Sequence, residues 1–599
     1  MKPPRFGLAH GLGACALLSA LSVLWLPEWP PGTDAPQHLL VAAVRASPEQ
    51  FTGWLSPNTA WTGQGFGTLA GWFARWMSLA HAAALAQTIP ALLAAAGVWD
   101  LARRHGGQPA PAMACVLAFM VGWPCAMGFF NFTCGLGLGL AAAACIDRGA
   151  ASRAPAWGWL GMGAALSVAG VWAHMYGGAV AVAHAVFLRV VTSRRREEGW
   201  SGVRMTTLAV LPAVIWTGVC LVRARTLQLD SYFGDAQPWL QPGPSEWIRD
   251  LLWTQSAGQT RLAALATVAS ILGILWTVRV PPAGGRSPWQ TAWPWLVAFL
   301  FLPIHGMGWG FIHMRVGVFL WALPWIEQRS ARARRAGMIV AALACGGMIM
   351  EAQAARRAGA ALAQIEHGLR GDGGRQTRVL WFDGPTAADA ASRAPFVRPT
   401  WHAGLYASWT GTALSTVNDY NRVTHGIRPA GAREGLFPDP RQGFVPSQIP
   451  ACAGDGSCPQ WPALTADRIL ATSRGWASLA LVEPPASLMQ ALHQRGAVDL
   501  APTLLAPPHA SLRVDLPATN DAVRLELRAT QTNVVFGRVA GPGGDARSVR
   551  FDQLPHATIH LRWTTDGGRL LGEATLQLSE GLRAVRFSAD GSAQITPAP

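Results

Sequence analysis

Long apolar runs separated by short basic segments dominate the first part of the chain. A transmembrane helix needs roughly 17–25 mostly apolar residues, and each run reaches or approaches that length. The pattern therefore predicts an α-helical polytopic membrane protein with about 11 transmembrane helices. Two short stretches, around Trp123 and on either side of His174, are typical of broken or re-entrant helices. The runs lie at about 7–26, 67–96, 110–126, 128–146, 156–172, 177–191, 205–222, 262–278, 289–304, 311–326 and 338–350.

Arginines alternate between the two ends of these predicted helices. The segment before the first run is basic, and so are those after the second, fourth, sixth, eighth and tenth runs. Basic loops stay in the cytoplasm, so the N-terminus is predicted to be cytoplasmic. The first loop (27–66), the middle loop (223–261) and everything after residue 350 then face the periplasm of a bacterial inner membrane.

The pattern changes after the transmembrane domain, which is predicted to cover 1–352. Between 370 and 505, strand-like runs at 379–382 and 478–482 and a helix at 486–495 predict a periplasmic α/β region. From 506 to 599, short segments of alternating apolar and polar residues recur with Gly and Asp turns. Period-two alternation at regular spacing predicts a periplasmic β-sandwich.

Composition and charge agree with a membrane protein. Half of the 599 residues are hydrophobic, 14% are charged, and the formal net charge is +15. Nearly all of the positive charge is arginine in short loops, which is typical of membrane topology and of contact with anionic membrane lipids. We therefore exclude nucleic acid as a partner.

The nine cysteines fall into two groups. Seven lie inside apolar runs and behave as small hydrophobic residues. Cys452 and Cys458 instead bracket a short polar loop, a spacing that favours a disulfide hairpin in an oxidising compartment. A zinc site would need two further ligands, and no suitable residues lie near them in the sequence.

The first predicted outer loop carries an acid and an imidazole close to the membrane. Asp34 and His38 are four residues apart, so a short helix would present them on one face. Pro36 suits the first turn of such a helix, and Thr33 or Asp34 is placed to cap it. The simpler interpretation is that Asp34 is only a cap and His38 only a surface residue.

An acid just after the first span, about ten further spans and a periplasmic C-terminal domain resemble the GT-C superfamily. The segments around Asn131 (Gly-Phe-Phe-Asn-Phe) and around His313 and Arg315 (Ile-His-Met-Arg) also resemble bacterial membrane proteins of this type. The superfamily consists of polytopic glycosyltransferases that take a sugar from a polyprenyl-phosphate lipid donor. The resemblance implies transfer to an envelope glycan, lipid or protein acceptor.

The resemblance also assigns roles to residues. It implies that Asp34 is the catalytic acid or base, with His38 beside it. Transfer from a lipid phosphate needs a cation at the leaving group, and Arg315 is the candidate. Interfacial snorkelling is an equally good explanation for this arginine. The remaining candidates for substrate binding are His313, His174 and Asn131, which have structural explanations as well.

Other functions are weighed against this one. The first loop has no clear paired-acid motif. We therefore assign no cofactor and keep a divalent metal as an alternative. No Walker A motif supports ATP-driven transport, and no related halves indicate a secondary transporter. The alternative is a non-catalytic membrane protein for envelope assembly or transport, with the C-terminal region as its binding module.

Overall fold

The computed structural model of the protein is mostly helical up to residue 370 and mostly β-structure beyond it. The structure describes residues 7–51, 55–57, 61–151, 156–193, 199–226, 243–253, 260–278, 289–302, 305–306, 309–310, 312–370, 377–381, 427–429, 466, 478–482, 486–495, 497–501, 504–506, 509–519, 521–529, 535–541, 547–555, 558–565, 568–578 and 581–597. Cys452 and Cys458 lie outside the described residues, so the predicted disulfide stays a prediction.

The described chain divides into two compact units, the first reaching mainly from the N-terminus to Ala361 and the second holding most of the later residues. The predicted domain boundaries stay predictions. The helices of the first unit are α1 (Leu8–Trp25), α2 (Ala35–Ala46), α3 (Gly65–Phe73), α4 (Leu79–His105), α5 (Pro109–Val121), α6 (Trp123–Ala126), α7 (Phe130–Ala150), α8 (Trp157–Ala173), α9 (Met175–Ser193), α10 (Gly199–Thr226), α11 (Pro244–Trp253), α12 (Thr260–Val278), α13 (Trp289–Phe301), α14 (Gly317–Trp321) and α15 (Ala331–Arg370). Short 3₁₀ turns lie at Pro48–Phe51, His313–Val316 and Leu323–Glu327.

Among the described residues, six helices are long and apolar enough to cross a membrane. They cover Leu8–Trp25, Leu79–His105, Pro109–Ala126, Phe130–Ala150, Ser201–Val222 and Ala331–Ala360, and shorter apolar helices lie at Leu265–Trp276 and Ala292–Phe301. The chain is a multi-pass membrane protein, as predicted. The count of about eleven spans and their orientation stay predictions.

Three predicted runs are not continuous helices, and one of them, at 110–126, is divided into α5 and α6 at the place where a break was expected. The run at 67–96 is divided into α3 and α4, and α4 begins at a Ser78 cap whose hydroxyl accepts from His81 N. The run at 311–326 consists of a 3₁₀ turn, the five-residue α14 and a second 3₁₀ turn. Pro324 lacks the backbone N–H that a continuous helix needs at this point. Apolar composition alone did not indicate the breaks in these last two runs.

Helix α7 packs closely against three neighbours through glycines. A methyl group built on Gly137 would lie 2.3 Å from the carbonyl oxygen of Pro90 in α4. One on Gly135 would lie 2.9 Å from Gly170 O in α8, and one on Gly139 would meet an α9 side chain at 2.4 Å. Small residues allow helix backbones to approach in this way inside membranes. Helix α7 is therefore held firmly along its length.

The C-terminal end of α7 is tied to α4 by charged side chains. Arg104 Nε donates to Asp147 Oδ2 at 3.0 Å, and His105 Nε2 lies 3.4 Å from Asp147 Oδ1. Arg148 also donates to Asp100. At 1.5 Å per residue, the 21 residues of α7 place this cluster roughly 30 Å from the helix N-terminus. The two ends of α7 therefore carry different kinds of chemistry.

The strands complete the fold. They are β1 (Leu55–Pro57), β2 (His305–Gly306), β3 (Trp309–Gly310), β4 (Thr377–Trp381), β5 (Ile427–Pro429), β6 (Ser478–Val482), β7 (Val498–Ala501), β8 (Leu504–Ala506), β9 (His509–Leu516), β10 (Val523–Ala529), β11 (Val535–Gly541), β12 (Arg547–Pro555), β13 (Thr558–Thr565), β14 (Leu570–Gln577), β15 (Gly581–Phe587) and β16 (Ala593–Pro597). A further helix, α16, covers Ala486–His493. Strands β4, β6, β8 and β7 form one sheet in that order, with β4 parallel to β6, in the region predicted as α/β.

The last eight strands form two four-stranded sheets in the orders β11-β10-β13-β14 and β12-β9-β15-β16. Both sheets contribute side chains to one hydrophobic core, whose fully buried members include Leu512, Val514, Leu527, Leu561 and Val585. Alternate residues of β13 and β14 point into this core, as the period-two pattern requires. The predicted β-sandwich is confirmed, and β15 pairs with β9 in parallel.

Candidate functional site

The loop before α2 is fixed against the turn before α7 by backbone contacts. Thr33 N donates to Ala126 O at 2.9 Å, and Asp34 N donates to Met127 O at 3.0 Å. Gly128 has a φ of +78°, a region that favours glycine. A methyl group on Gly128 would lie 2.7 Å from Asp34 N. The backbone at Asp34 is therefore placed by an approach that only glycine permits.

Asp34 precedes α2, and its carbonyl oxygen accepts from His38 N at 3.3 Å. Pro36 lies in the first turn, as predicted. The side chain of Asp34 makes no capping hydrogen bond within the described residues, so the expectation of a side-chain cap from this residue is wrong. Its carboxylate therefore does not cap α2.

His38 and Asn131 meet at the first turn of α7. Asn131 Nδ2 lies 3.4 Å from His38 Nδ1, and Asn131 Oδ1 accepts from the backbone N–H of Phe66 at 2.8 Å. The rings of Phe66 and Phe130 pack against His38 with centroids 6.0 and 5.8 Å away. The amide therefore joins α2, α3 and α7, which is the interhelical role expected of an asparagine in a membrane bundle.

Arg315 and His174 form a buried pair close to the same turn. Each residue is 4% exposed, and Arg315 Nη1 donates to His174 Nε2 at 3.1 Å. A guanidinium only donates, so the imidazole must accept and is neutral. The guanidinium carbon lies 4.3 Å from the ring centre of Phe129 and 5.2 Å from that of Phe132. Burial explains why snorkelling to the interface does not describe this arginine.

His174 lies in the one-residue break between α8 and α9. Thr62 of the first loop holds the break: its hydroxyl donates to Val171 O at 2.8 Å and accepts from Met175 N at 2.9 Å. The first loop therefore supports both Asp34 and the turn that carries His174.

His313 makes a different contact from the one that its position near Arg315 suggested. It is fully buried, and its Nε2 lies 2.7 Å from Oδ2 of Asp250 on α11. Its ring packs against Phe299, with centroids 5.5 Å apart. The five other predicted site residues lie around the first turn of α7, whereas His313 faces the acid of another helix.

A cleft adjoins the Asp34 loop. It is small, with about 30 Å³ that the centre of a water molecule can occupy, and its walls are mainly apolar. Pro30, Ala126 and Phe130 belong to the elements that place Asp34, while Gln87 and Glu351 supply polar groups. The cleft places an apolar surface with two polar groups beside the loop that holds Asp34.

Sequence reasoning did not identify Asp250, Phe129 or Phe132 as site residues. The aromatic pair lay within the quoted Gly-Phe-Phe-Asn-Phe segment, but the partner arginine comes far later in the chain. Asp250 carried a local signal: it follows Trp247 by three residues, so a helix places this acid on an apolar face. Within the described residues, no group of three or more His, Cys, Asp or Glu side chains is arranged to hold a metal ion.

Known proteins resemble this chain in structure. No family model matches its sequence, and no curated protein matches it. ArnT from Cupriavidus metallidurans, bound to undecaprenyl phosphate, is similar in structure, with 12% identity, a TM-score of 0.47 and coverage of 82% of this chain and 97% of ArnT.

Two structures from Archaeoglobus fulgidus align as well. An oligosaccharyltransferase in the apo form has 10% identity, a TM-score of 0.38 and coverage of 97% of this chain and 100% of its own. AglB, in complex with an inhibitory peptide and a dolichol-phosphate, has 10% identity, a TM-score of 0.30 and coverage of 96% and 99%.

Proposed function

We propose that the protein is a membrane glycosyltransferase that moves a sugar from a polyprenyl-phosphate donor to an acceptor on the outer side of the membrane. One observation carries the proposal. Adjacent residues of one turn contact the backbone of Asp34 and the guanidinium of Arg315. Gly128 abuts the backbone of Asp34, and the ring of Phe129 lies against the guanidinium of Arg315. An acid and a buried cation thus both adjoin the same short segment.

The proposed chemistry follows from these two groups. Asp34 accepts the proton of the acceptor hydroxyl, whose oxygen attacks the anomeric carbon of the sugar. The bond between this carbon and the phosphate oxygen breaks, and the polyprenyl phosphate leaves with its electron pair. Arg315 stabilises the charge that builds up on the phosphate oxygens. The neutral ring of His174 orients the guanidinium without competing for the phosphate as an anion would.

Burial of Arg315 supports this role. An arginine inside a membrane bundle is expensive, and such residues commonly mark substrate or ion pathways. A neutral histidine and two aromatic faces contact the guanidinium. A planar guanidinium matches the geometry of phosphate oxygens, so a phosphate group is the ligand that this environment favours.

The other predicted residues fit around this pair. His38 and Asn131 support the wall next to Asp34, and we assign them to substrate binding. The acceptor is an envelope glycan, lipid or protein, and we propose that the site faces the periplasm of a bacterial inner membrane.

Complementation of a deletion strain tests the proposal. Asp34→Asn keeps the size of the side chain and removes the base, so it should fail to restore any sugar that the deletion removes from the envelope. Glu49→Gln is the matched control, because Glu49 is an exposed acid in the same loop. The readouts are the envelope glycan profile by mass spectrometry and the membrane level of each variant by immunoblotting.

Wild type and Glu49→Gln should restore the profile, and Asp34→Asn should not, at equal membrane levels. Full restoration by Asp34→Asn would show that Asp34 is not a catalytic base. If in addition loss of the C-terminal sandwich alone abolished complementation, the non-catalytic assembly function would be favoured over transfer.

A further inference from the structure

Asp250 is a buried acid on an otherwise apolar helix face. It is 2% exposed, and the helix places it between Trp247 and Leu251, both of which pack against the main core of the bundle. Burying a carboxylate costs several kcal/mol of desolvation, whereas an apolar side chain would stabilise this position at no such cost. The acid therefore calls for an explanation other than stability.

Both carboxylate oxygens of Asp250 have partners. Oδ1 accepts from Arg249 Nε at 2.8 Å, and Oδ2 lies 2.7 Å from His313 Nε2. The His313 ring has no other hydrogen bond among the described residues, since its Nδ1 is buried without a partner there. Asp250 is thus the polar contact that orients this imidazole. Residues 63 positions apart are joined inside the bundle.

His313 begins the 3₁₀ turn that carries Arg315. The turn has four residues, and Arg315 N donates to Ile312 O at 3.2 Å. Such turns have weaker hydrogen-bond geometry than an α-helix and are stable only as short pieces. Side chains on both residues hold this turn in place: Asp250 binds His313, and His174 binds Arg315. Release of one contact would allow the other to change its position.

We propose that Asp250 is a positioning residue for Arg315, acting through His313 to set where the guanidinium meets the lipid phosphate. This inference rests on the proposed role of Arg315 as the phosphate contact. It adds that α11, from the middle outer loop, belongs to the phosphate site without touching the phosphate. The charge of Asp250 is the feature that matters, because an uncharged amide would hold the imidazole more weakly.

Binding of undecaprenyl phosphate to the full-length protein in nanodiscs tests the inference. Undecaprenol, the same lipid without the phosphate, is the second probe. The ratio of the two dissociation constants measures recognition of the phosphate alone. A general loss of packing would weaken both lipids together and leave this ratio unchanged. The variants are Arg315→Gln, Asp250→Asn, Asp250→Glu and the double variant Arg315→Gln/Asp250→Asn.

Arg315→Gln should reduce the phosphate preference by about tenfold or more, since a charge-assisted hydrogen bond is lost. Asp250→Asn should reduce it by about threefold to tenfold. Asp250→Glu, which keeps the charge, should recover part of this loss. The double variant should match Arg315→Gln alone, because Asp250 acts only through that arginine.

Asp147→Asn is the matched control. It breaks an acid–imidazole contact of the same kind, with His105, at the opposite end of α7. This variant should leave the phosphate preference unchanged. Should Asp250→Asn fail to give a monodisperse protein, His313→Gln breaks the same contact from the other side and should produce the same loss of about threefold to tenfold.

The remaining outcomes overturn the inference in distinguishable ways. If Arg315→Gln lowers the phosphate preference and Asp250→Asn does not, Asp250 is not a positioning residue, while the proposed function stands. Additive losses in the double variant would mean that Asp250 acts by another route. If Arg315→Gln leaves the preference unchanged, both the inference and the proposed phosphate contact are wrong.

Discussion

Replacement of Gly128 by alanine probes how Asp34 is placed. The φ of +78° disfavours any L side chain, which costs about 1–2 kcal/mol. The added methyl would also lie 2.5 Å from Ala35 N and 2.7 Å from Asp34 N. Both atoms belong to the backbone, so no side-chain rotation relieves the contact. The start of α2 must move away from the turn before α7.

The expected effect on transfer is larger than the effect on stability. A displacement of about 1 Å at a catalytic group costs on the order of 100-fold in rate. Gly128→Ala should therefore lower the rate of glycan restoration by about that factor and lower the unfolding temperature moderately. The assays are the time course of the envelope glycan profile after induced expression and thermal unfolding in detergent.

Gly161→Ala is the matched control for this prediction. A methyl group on Gly161, in α8, would have no atom within 4 Å. Within a helix, alanine is favoured over glycine by up to about 1 kcal/mol, so this variant should be neutral or slightly more stable. If Gly128→Ala behaved like Gly161→Ala in both assays, the close approach at Gly128 would not be what positions Asp34.

Two further predictions concern stability. Asn131→Ala should lower the free energy of unfolding by about 1–3 kcal/mol, and with it the unfolding temperature, because the buried N–H of Phe66 loses its hydrogen-bond acceptor. An unchanged unfolding temperature would contradict this hydrogen bond. Burial raises the pKa of Asp515, but hydrogen bonds from Arg513 and Ser548 lower it more, and the pKa ends below its ordinary value. The ionised carboxylate therefore stabilises the β-sandwich above pH of about 4, and this contribution is lost as the pH falls through the lowered pKa. Asp515→Asn should reduce the acid sensitivity of β9 in hydrogen exchange after brief incubation at low pH, and equal sensitivity would refute the assignment.

Periodicity indicated the fold well where one face of an element is buried. Strands such as β13 alternate between core and solvent, and the sequence shows that alternation directly. Long apolar runs likewise predicted the membrane helices. The breaks at Ser78 and Pro324 were missed, because an apolar run does not reveal where its backbone hydrogen bonds stop. Composition therefore predicts which segments enter the membrane more reliably than it predicts where the helices within each segment begin and end.

The candidate site was predicted only in part, for a related reason. Local features and the resemblance pointed to Asp34, His38 and Asn131, and their roles stay predictions. The partner of Arg315 lies 141 residues away, and that of His313 lies 63 away. A single sequence encodes which residues are unusual for their surroundings, but long-range pairing depends on how the helices pack. Asp250 was recognisable in the sequence as an acid on an apolar helix face, but the sequence did not indicate that His313 is its partner.

The bond between His174 and Arg315 also has a consequence for how the protein is made. Chains leave the ribosome at about 5–20 residues per second, so Asp34 is synthesised on the order of half a minute before Arg315. During that interval Arg315 has not been synthesised, so the proposed site is incomplete. Inserting an unpaired arginine into a bilayer is costly, and His174 must already be in place to receive it. The residues of the proposed site are thus brought together late in synthesis, and chains that stop before the 3₁₀ turn of Arg315 carry Asp34 without that arginine.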